Sequence, residues 1–190
     1  NLPSGTKVAT TYQTGLTTVP ITTTTSGASL GAYNFSYAGD FVPKSTFQVI
    51  TSAIQEFVIA FGSNSYDPTN WNTDFNPMLV RWSDQESPNV WTPSATNQAG
   101  SYRLSHGSQI ITAVQTRQEI LVLTDAAIYS MQYLGAPYVW GFQIMGDNIS
   151  IMGPNAAITV NNITYWMGVD KFYSYSGRVE TLPCTLRQYI

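Results

Sequence analysis

Glu119-Ile-Leu-Val-Leu-Thr-Asp-Ala-Ala-Ile-Tyr-Ser-Met131 is the stretch from which the fold can be read. Glu119 to Thr124 is a short, almost unbroken apolar run closed by a Thr-Asp turn signal. That pattern predicts a strand buried on both faces. Ala127 to Tyr133 reads as the next strand, which makes Thr124 to Ala126 a tight hairpin corner. Gly135-Ala-Pro breaks the chain, and Tyr138 to Met145 resumes as a third strand.

The unit recurs on either side. A shift of 49 positions lays Leu79 to Trp91 on Ile128 to Trp140 without gaps, with Pro-x-Val-Trp shared at Pro88 and Pro137. A shift of 44 lays Tyr129-Ser130 on Tyr173-Ser174, Leu121-Val-Leu on Tyr165-Trp-Met, and Ala113 on Ala157. Strand, corner, strand, turn, strand at intervals of about 40–50 residues is the spacing of propeller blades. The first shift predicts that Trp91 and Trp140 occupy like positions.

Composition agrees with β structure. Aromatics reach 13% and charged residues only 10%, and no stretch of ten residues carries a helical stripe. Working outward, strands are predicted at Ala32 to Tyr37, Phe47 to Ile50, Glu56 to Gly62, Tyr102 to Ser105 and Ser108 to Thr116. Beyond the central unit they continue at Asp147 to Met152, Ala156 to Val160, Ile163 to Gly168, Lys171 to Ser176 and Val179 to Pro183. Strands separated by Gly, Pro, Asn and Asp at such spacing give an all-β chain, and the longer repeat favours a propeller over a sandwich. Residues 1–31 are a Thr-rich segment read as an extended arm or surface excursion, and 32–190 as the β-rich domain. At 44–49 residues per blade the chain holds too few blades to close a propeller of about four to eight. Further polypeptide is therefore expected on both sides, with Thr185 to Ile190 opening another strand.

Several function classes are disfavoured. A net charge of −3 with eight scattered Lys and Arg does not cluster cations for phosphate binding. No apolar run approaches the roughly 20 residues of a membrane-spanning helix. One cysteine, Cys184, excludes an internal disulfide and reads as a small buried hydrophobe. His106 is the sole histidine and sits in a Ser-His-Gly-Ser turn, so neither a histidine metal cluster nor a triad with Ser105 and Asp125 is expected. The carboxylate pairs Asp84/Glu86 and Asp67/Asp74 lie in polar turns where solvated charge is the ordinary explanation. No cofactor and no catalysis are expected. Of the five tryptophans, Trp82, Trp91, Trp140 and Trp166 fall in strand runs or at the repeated hairpin and are expected in the core. Trp71, with Phe75, lies in the long polar stretch Ser63 to Pro77, the candidate site of contact with another subunit or a ligand.

Five runs carry a resemblance: Pro77 to Glu86 (PMLVRWSDQE), Thr116 to Asp125 (TRQEILVLTD), Tyr138 to Phe142, Tyr165 to Tyr173 and Leu182-Pro-Cys184. As a set they resemble virion structural proteins of tailed bacteriophages, over about Phe57 to Ile190. The resemblance implies a β-rich tail or head-to-tail component, similar in kind to the propeller-bearing nozzle proteins of short-tailed phages. It implies a subunit of a symmetric ring in the virion, contacting copies of itself and other phage proteins, with genomic DNA passing nearby. No functional residues travel with it. An acidic wall weakens adsorption of DNA, which fits that setting. A receptor- or carbohydrate-binding tail protein using Trp71 is the alternative, and a glycan depolymerase a third.

Overall fold

The structure is a computed structural model that describes residues 41–52, 54–67 and 74–183. The Thr-rich segment 1–31, the strand expected at Ala32 to Tyr37, Trp71, Cys184 and the strand expected at Thr185 to Ile190 lie outside the described residues.

Twelve strands follow in chain order, and the described residues contain no helix. The first sheet is β1 (Thr46–Ser52), β2 (Phe57–Asn64), β3 (Phe75–Trp82) and β4 (Gly100–Arg103). The second is β5 (Ile110–Gln115), β6 (Ile120–Thr124), β7 (Ala127–Gly135) and β8 (Val139–Asp147). The third is β9 (Ala157–Val160), β10 (Ile163–Met167), β11 (Phe172–Tyr175) and β12 (Val179–Leu182). Each sheet is an antiparallel meander of four consecutive strands, so every connection within a sheet joins neighbours. Local turn chemistry makes these joins. Thr124 Oγ1 accepts from the amides of Ala126 (3.2 Å) and Ala127 (2.9 Å), closing the corner between β6 and β7. Asn161 and Asn162 both take positive φ (49° and 64°) in the two-residue turn between β9 and β10, a geometry asparagine tolerates.

The sheets stack face to face with the second in the middle. Ile120 and Val122 of β6 join Phe57, Val80 and Trp82 of the first sheet in one core. Leu121 and Leu123 of the same strand join Trp166, Tyr173 and Tyr175 of the third sheet in another. All five residues of β6 are buried, as its unbroken apolar run predicts. The stack is drawn together along the first strands: β5 contacts both β1 and β9.

The 44-residue repeat is present in three dimensions. Val122 pairs with Tyr129 across β6 and β7, and Trp166 with Tyr173 across β10 and β11. Both pairs face the preceding sheet. The 49-residue repeat is present only in part. It maps β3 onto β7 and preserves cross-strand partners, since Phe61 pairs with Val80 as Val122 pairs with Tyr129. It inverts the faces, however: Val80 points to the following sheet and Tyr129 to the preceding one. One residue of slip is enough, because side chains alternate with period two. The second half of the match also fails. Trp140 lies in β8, whereas Trp91 lies in the long connection between β3 and β4. There Asp84 and Ser87 form an isolated bridge that turns the chain early, and Trp91 Nε1 donates to Pro88 O at 2.7 Å.

Two further expectations need correction. Asp147 to Met152 is not a strand: only Asp147 belongs to β8, and Asn148 turns the backbone with φ 53°. The Ile149 amide then donates to Ala126 O at 3.0 Å, and Ile151 drops into the second core. The stretch Ser63 to Pro77 is shorter as a loop than its composition suggests. Ser63 and Asn64 end β2, and Phe75 to Pro77 begin β3. Asn64 Oδ1 accepts from the amides of Lys44 (2.9 Å) and Ser45 (3.3 Å), an inward role for a residue that reads as loop polar.

Candidate functional site

The two ends of the stack are where the described residues offer surface to something else, and they differ in construction. On the first sheet, Val49, Ala60 and Arg81 lie side by side on the outer face, opposite Gln48, Phe61 and Val80. Arg81 is almost wholly buried there, the largest fully buried side chain of the chain's described part. Its Nη1 donates to Asn64 O at 3.2 Å and its Nη2 to Phe41 O at 2.8 Å. The Trp91 ring covers the guanidinium at 5.8 Å, a cation–π arrangement. Burial lowers the Arg81 pKa to about 10, against a small opposing contribution from Tyr66. The group remains a cation at neutral pH, so this is a structural pin that folds the long β3–β4 connection back over the sheet. Beside it, Val49, Val58, Ala60, Pro88 and Trp91 line an apolar trough of about 270 Å³.

On the third sheet the outer face is open. Ile158 is 62% exposed, Val160 47%, Met167 40% and Tyr165 36%, all apolar and all on strands. They sit 44 residues after Val114, Thr116, Leu123 and Leu121, and three of those four positions pack into the second core. The same positions that bury the second sheet's rear face are thus bare on the third. Four exposed apolar residues on one sheet face form a contiguous patch of the kind that marks an interaction surface.

Phe75, one of the two residues singled out from the sequence, opens β3 and is 46% exposed. Its ring lies beside Gly62, where an added Cβ would come within 3.3 Å of it. Trp71 lies outside the described residues, so the structure brings no pair together. Trp82, Trp91, Trp140 and Trp166 are all buried, as expected from their strand and hairpin settings.

Ser105 Oγ and His106 Nδ1 lie 3.0 Å apart, but Asp125 turns elsewhere. It accepts from the amides of Ser108 (2.7 Å) and Gln109 (3.4 Å) and from the Ser108 hydroxyl. Burial pushes its pKa up, and these hydrogen bonds outweigh that and hold it below the ordinary value. The carboxylate pins the β4–β5 turn and orients no imidazole. Asp84 likewise accepts from the Gln98 amide at 2.8 Å. Among the described residues no three His, Cys, Asp or Glu side chains are placed to hold a metal ion. Among the described residues there is no helix long and apolar enough to cross a membrane.

Sequence reasoning gave Arg81 no role beyond its place in the run Pro77 to Glu86 and missed its burial. The signal was present: Met78-Leu-Val-Arg-Trp82 is apolar on both sides of the charge, which leaves no solvent-facing strand position for it. The exposed face of the third sheet was also missed, since its strands read like those of the second. No protein-family model matches this chain, and a search of curated proteins returns no match to it.

Proposed function

We propose that the protein is a structural subunit of a tailed-bacteriophage particle, in the tail nozzle or head-to-tail region, built as part of a β-propeller and working in a symmetric ring without catalysis. One observation carries the reading: three consecutive four-stranded meanders stack in order, drawn together along their first strands, with the second and third related in phase by 44 residues. That is how blades follow one another around a propeller axis. The phage assignment adds the resemblance of the runs at Pro77, Thr116, Tyr138, Tyr165 and Leu182. Asn64, Asp84 and Asp125 serve turns and strand edges, which fits a wall or spacer. A net charge of −3 favours a surface past which DNA slides.

The test is direct imaging. Particles carrying a short epitope inserted at Ser94 to Asn97, in the exposed β3–β4 connection, are decorated with antibody and viewed by electron microscopy. Label in a ring at the tail or portal vertex is the expected result. Absence of the chain from purified particles overturns the reading. Glycan binding that is lost on Phe75→Ala would replace it with the receptor-binding alternative.

A further inference from the structure

We infer that residues Ala32 to Tyr37 lie back over the outer face of the first sheet of their own chain, where Tyr33, Phe35 and Tyr37 cover the part that the β3–β4 connection leaves open.

The groove is built from described residues alone. On that outer face the β3–β4 connection covers β3, with Trp91 over the buried Arg81. It stops short of β1. Phe47 is 52% exposed and Val49 50%, and both point away from the second sheet, opposite Gln48. Phe75 joins them: Phe47 and Phe75 flank Gly62, where an added Cβ would come within 3.1 and 3.3 Å of them. Between β1 and the connection runs the trough of about 270 Å³, with Val49, Val58 and Ala60 on the strands and Pro88 and Trp91 opposite. None of its lining residues is ionisable. Such a surface suits the apolar side of an extended segment, with room for aromatic side chains.

The path of the chain names the occupant. Phe41 O accepts from Arg81 Nη2 at 2.8 Å, so the chain enters the described residues on the outer side of the sheet. From there it crosses to β1, tied on the way by the amides of Lys44 and Ser45 donating to Asn64 Oδ1. Val42, Pro43 and Thr46 form one wall of the trough as it passes. The residues just before Phe41 are therefore tethered to that wall. Tyr37 precedes Val42 by five residues, a span of at most about 18 Å. A tether that short raises the effective concentration, so modest apolar contact is enough to keep the segment docked.

The segment has the matching pattern. Tyr33-Asn-Phe-Ser-Tyr37 alternates aromatic and polar residues, as an extended segment does with one side buried and the other in water. No charged residue falls between Ala32 and Ala38, and Tyr12 is the only aromatic residue in 1–31. The open face of the third sheet, by contrast, lies at the other end of the stack, behind the second sheet.

Thiol labelling reads the contact. In the full chain, with Cys184→Ser removing the native thiol, Val49→Cys or Ile158→Cys supplies a single new one. A maleimide reports the exposure of each. Adding Phe35→Ser is expected to speed labelling at position 49 by about tenfold or more and to leave position 158 on the third sheet unchanged. An unchanged rate at position 49 overturns the inference. Protection at position 49 that grows with protein concentration also overturns it, because the covering segment then belongs to a second copy. A rise at both positions marks loss of the fold in the Phe35→Ser variant, and a second measurement then decides. Benzoylphenylalanine in place of Phe35 is expected to photo-cross-link within one chain to the stretches holding Val49, Val58 or Pro88. Cross-links elsewhere, cross-links between chains, or none at all overturn the inference.

Discussion

The two cores on either side of the second sheet solve the same packing problem with different chemistry. Between the first and second sheets aromatic rings meet aromatic rings, stacked where Tyr102 lies on Phe142 at 4.5 Å and 8°, and edge-on around Trp140. Phe57 meets Trp140 at 5.6 Å between ring centroids with planes at 74°, and Tyr133 meets Trp140 at 5.4 Å and 67°. Between the second and third sheets, aliphatic Leu121, Leu123 and Ile128 face a flat pair, Trp166 stacked on Tyr173 at 5.3 Å and 15°. Close approach there uses Gly146, whose missing Cβ would come within 3.3 Å of Val179 of the third sheet.

The polar ties differ as well. In the first junction the Gln48 amide bridges the sheets: its Nε2 donates to Ala113 O, and its Oε1 accepts from Ala113 N, both at 2.8 Å. A side chain thereby stands in for the next strand at the inner edge of β5. In the second junction the ties lie at the rim. The Arg117 amide donates to Asn162 Oδ1 at 3.1 Å, and the Tyr175 hydroxyl hydrogen-bonds Glu119. Stacking sheets this way fixes strand order and facing but leaves the contents of each junction free to vary, which is why the repeats share so little sequence.

The largest break in this comparison comes at Trp140. Trp140→Ala empties the centre of the first junction and should lower stability by about 3–5 kcal/mol in denaturant melts. Trp140→Phe should cost far less, because the indole Nε1 has no hydrogen-bond partner among the described residues, and its removal relieves a buried polar atom. Equal losses for the two would show that a smaller aromatic ring cannot replace the indole against Phe57 and Tyr133.

Next is Gln48. Gln48→Ala leaves the Ala113 amide and carbonyl unpaired at a partly buried edge, with an expected loss of about 1–3 kcal/mol. Amide exchange at Ala113 should quicken in the same variant. A protein with parental stability and parental exchange would mean the bridge is not made.

Tyr175 sharpens the contrast at high pH. Burial, then the charge of Glu119 and the hydrogen bond to it, push the Tyr175 pKa up to about 12 from an ordinary 10. A folded-state pKa above the unfolded one means this contribution is fully present below about pH 10 and is lost as pH rises from 10 towards 12. Alkaline melting should therefore fall more steeply for the parent than for Tyr175→Phe. Parallel curves would remove Glu119 from the junction.

The smallest effect is at Asp125, outside both junctions. Its lowered pKa makes the stabilisation present above the ordinary carboxylate range and lost as pH falls through the folded value. Asp125→Asn should melt slightly below the parent at neutral pH, with the gap narrowing in acid. A gap that stays constant down to strongly acidic pH would assign the loss to the amide substitution itself.

By itself, the sequence determined the all-β class, most of the strands among the described residues and the 44-residue relation between the second and third sheets. Its evidence was the apolar run at Glu119 to Thr124, the corners at Thr124 and Gly135, and the 44-residue echo at Tyr173. Those signals are local or depend only on spacing, and strand formation follows the same local alternation. Tertiary structure alone decided which face of β3 looks at which neighbour. Alternation gives a period of two without an absolute phase, and irregular register in β2–β3 and β5–β6 shifts that phase without changing composition. It also decided that Trp91 leaves its repeat partner to lie over Arg81, and that Ile151 enters a core through a turn and not a strand. Both depend on contacts between residues far apart in the chain, which spacing along the sequence does not encode. The bare face of the third sheet belongs here too: Tyr165 and Met167 read like Leu121 and Leu123, and only the stack reveals that one pair is covered and the other exposed.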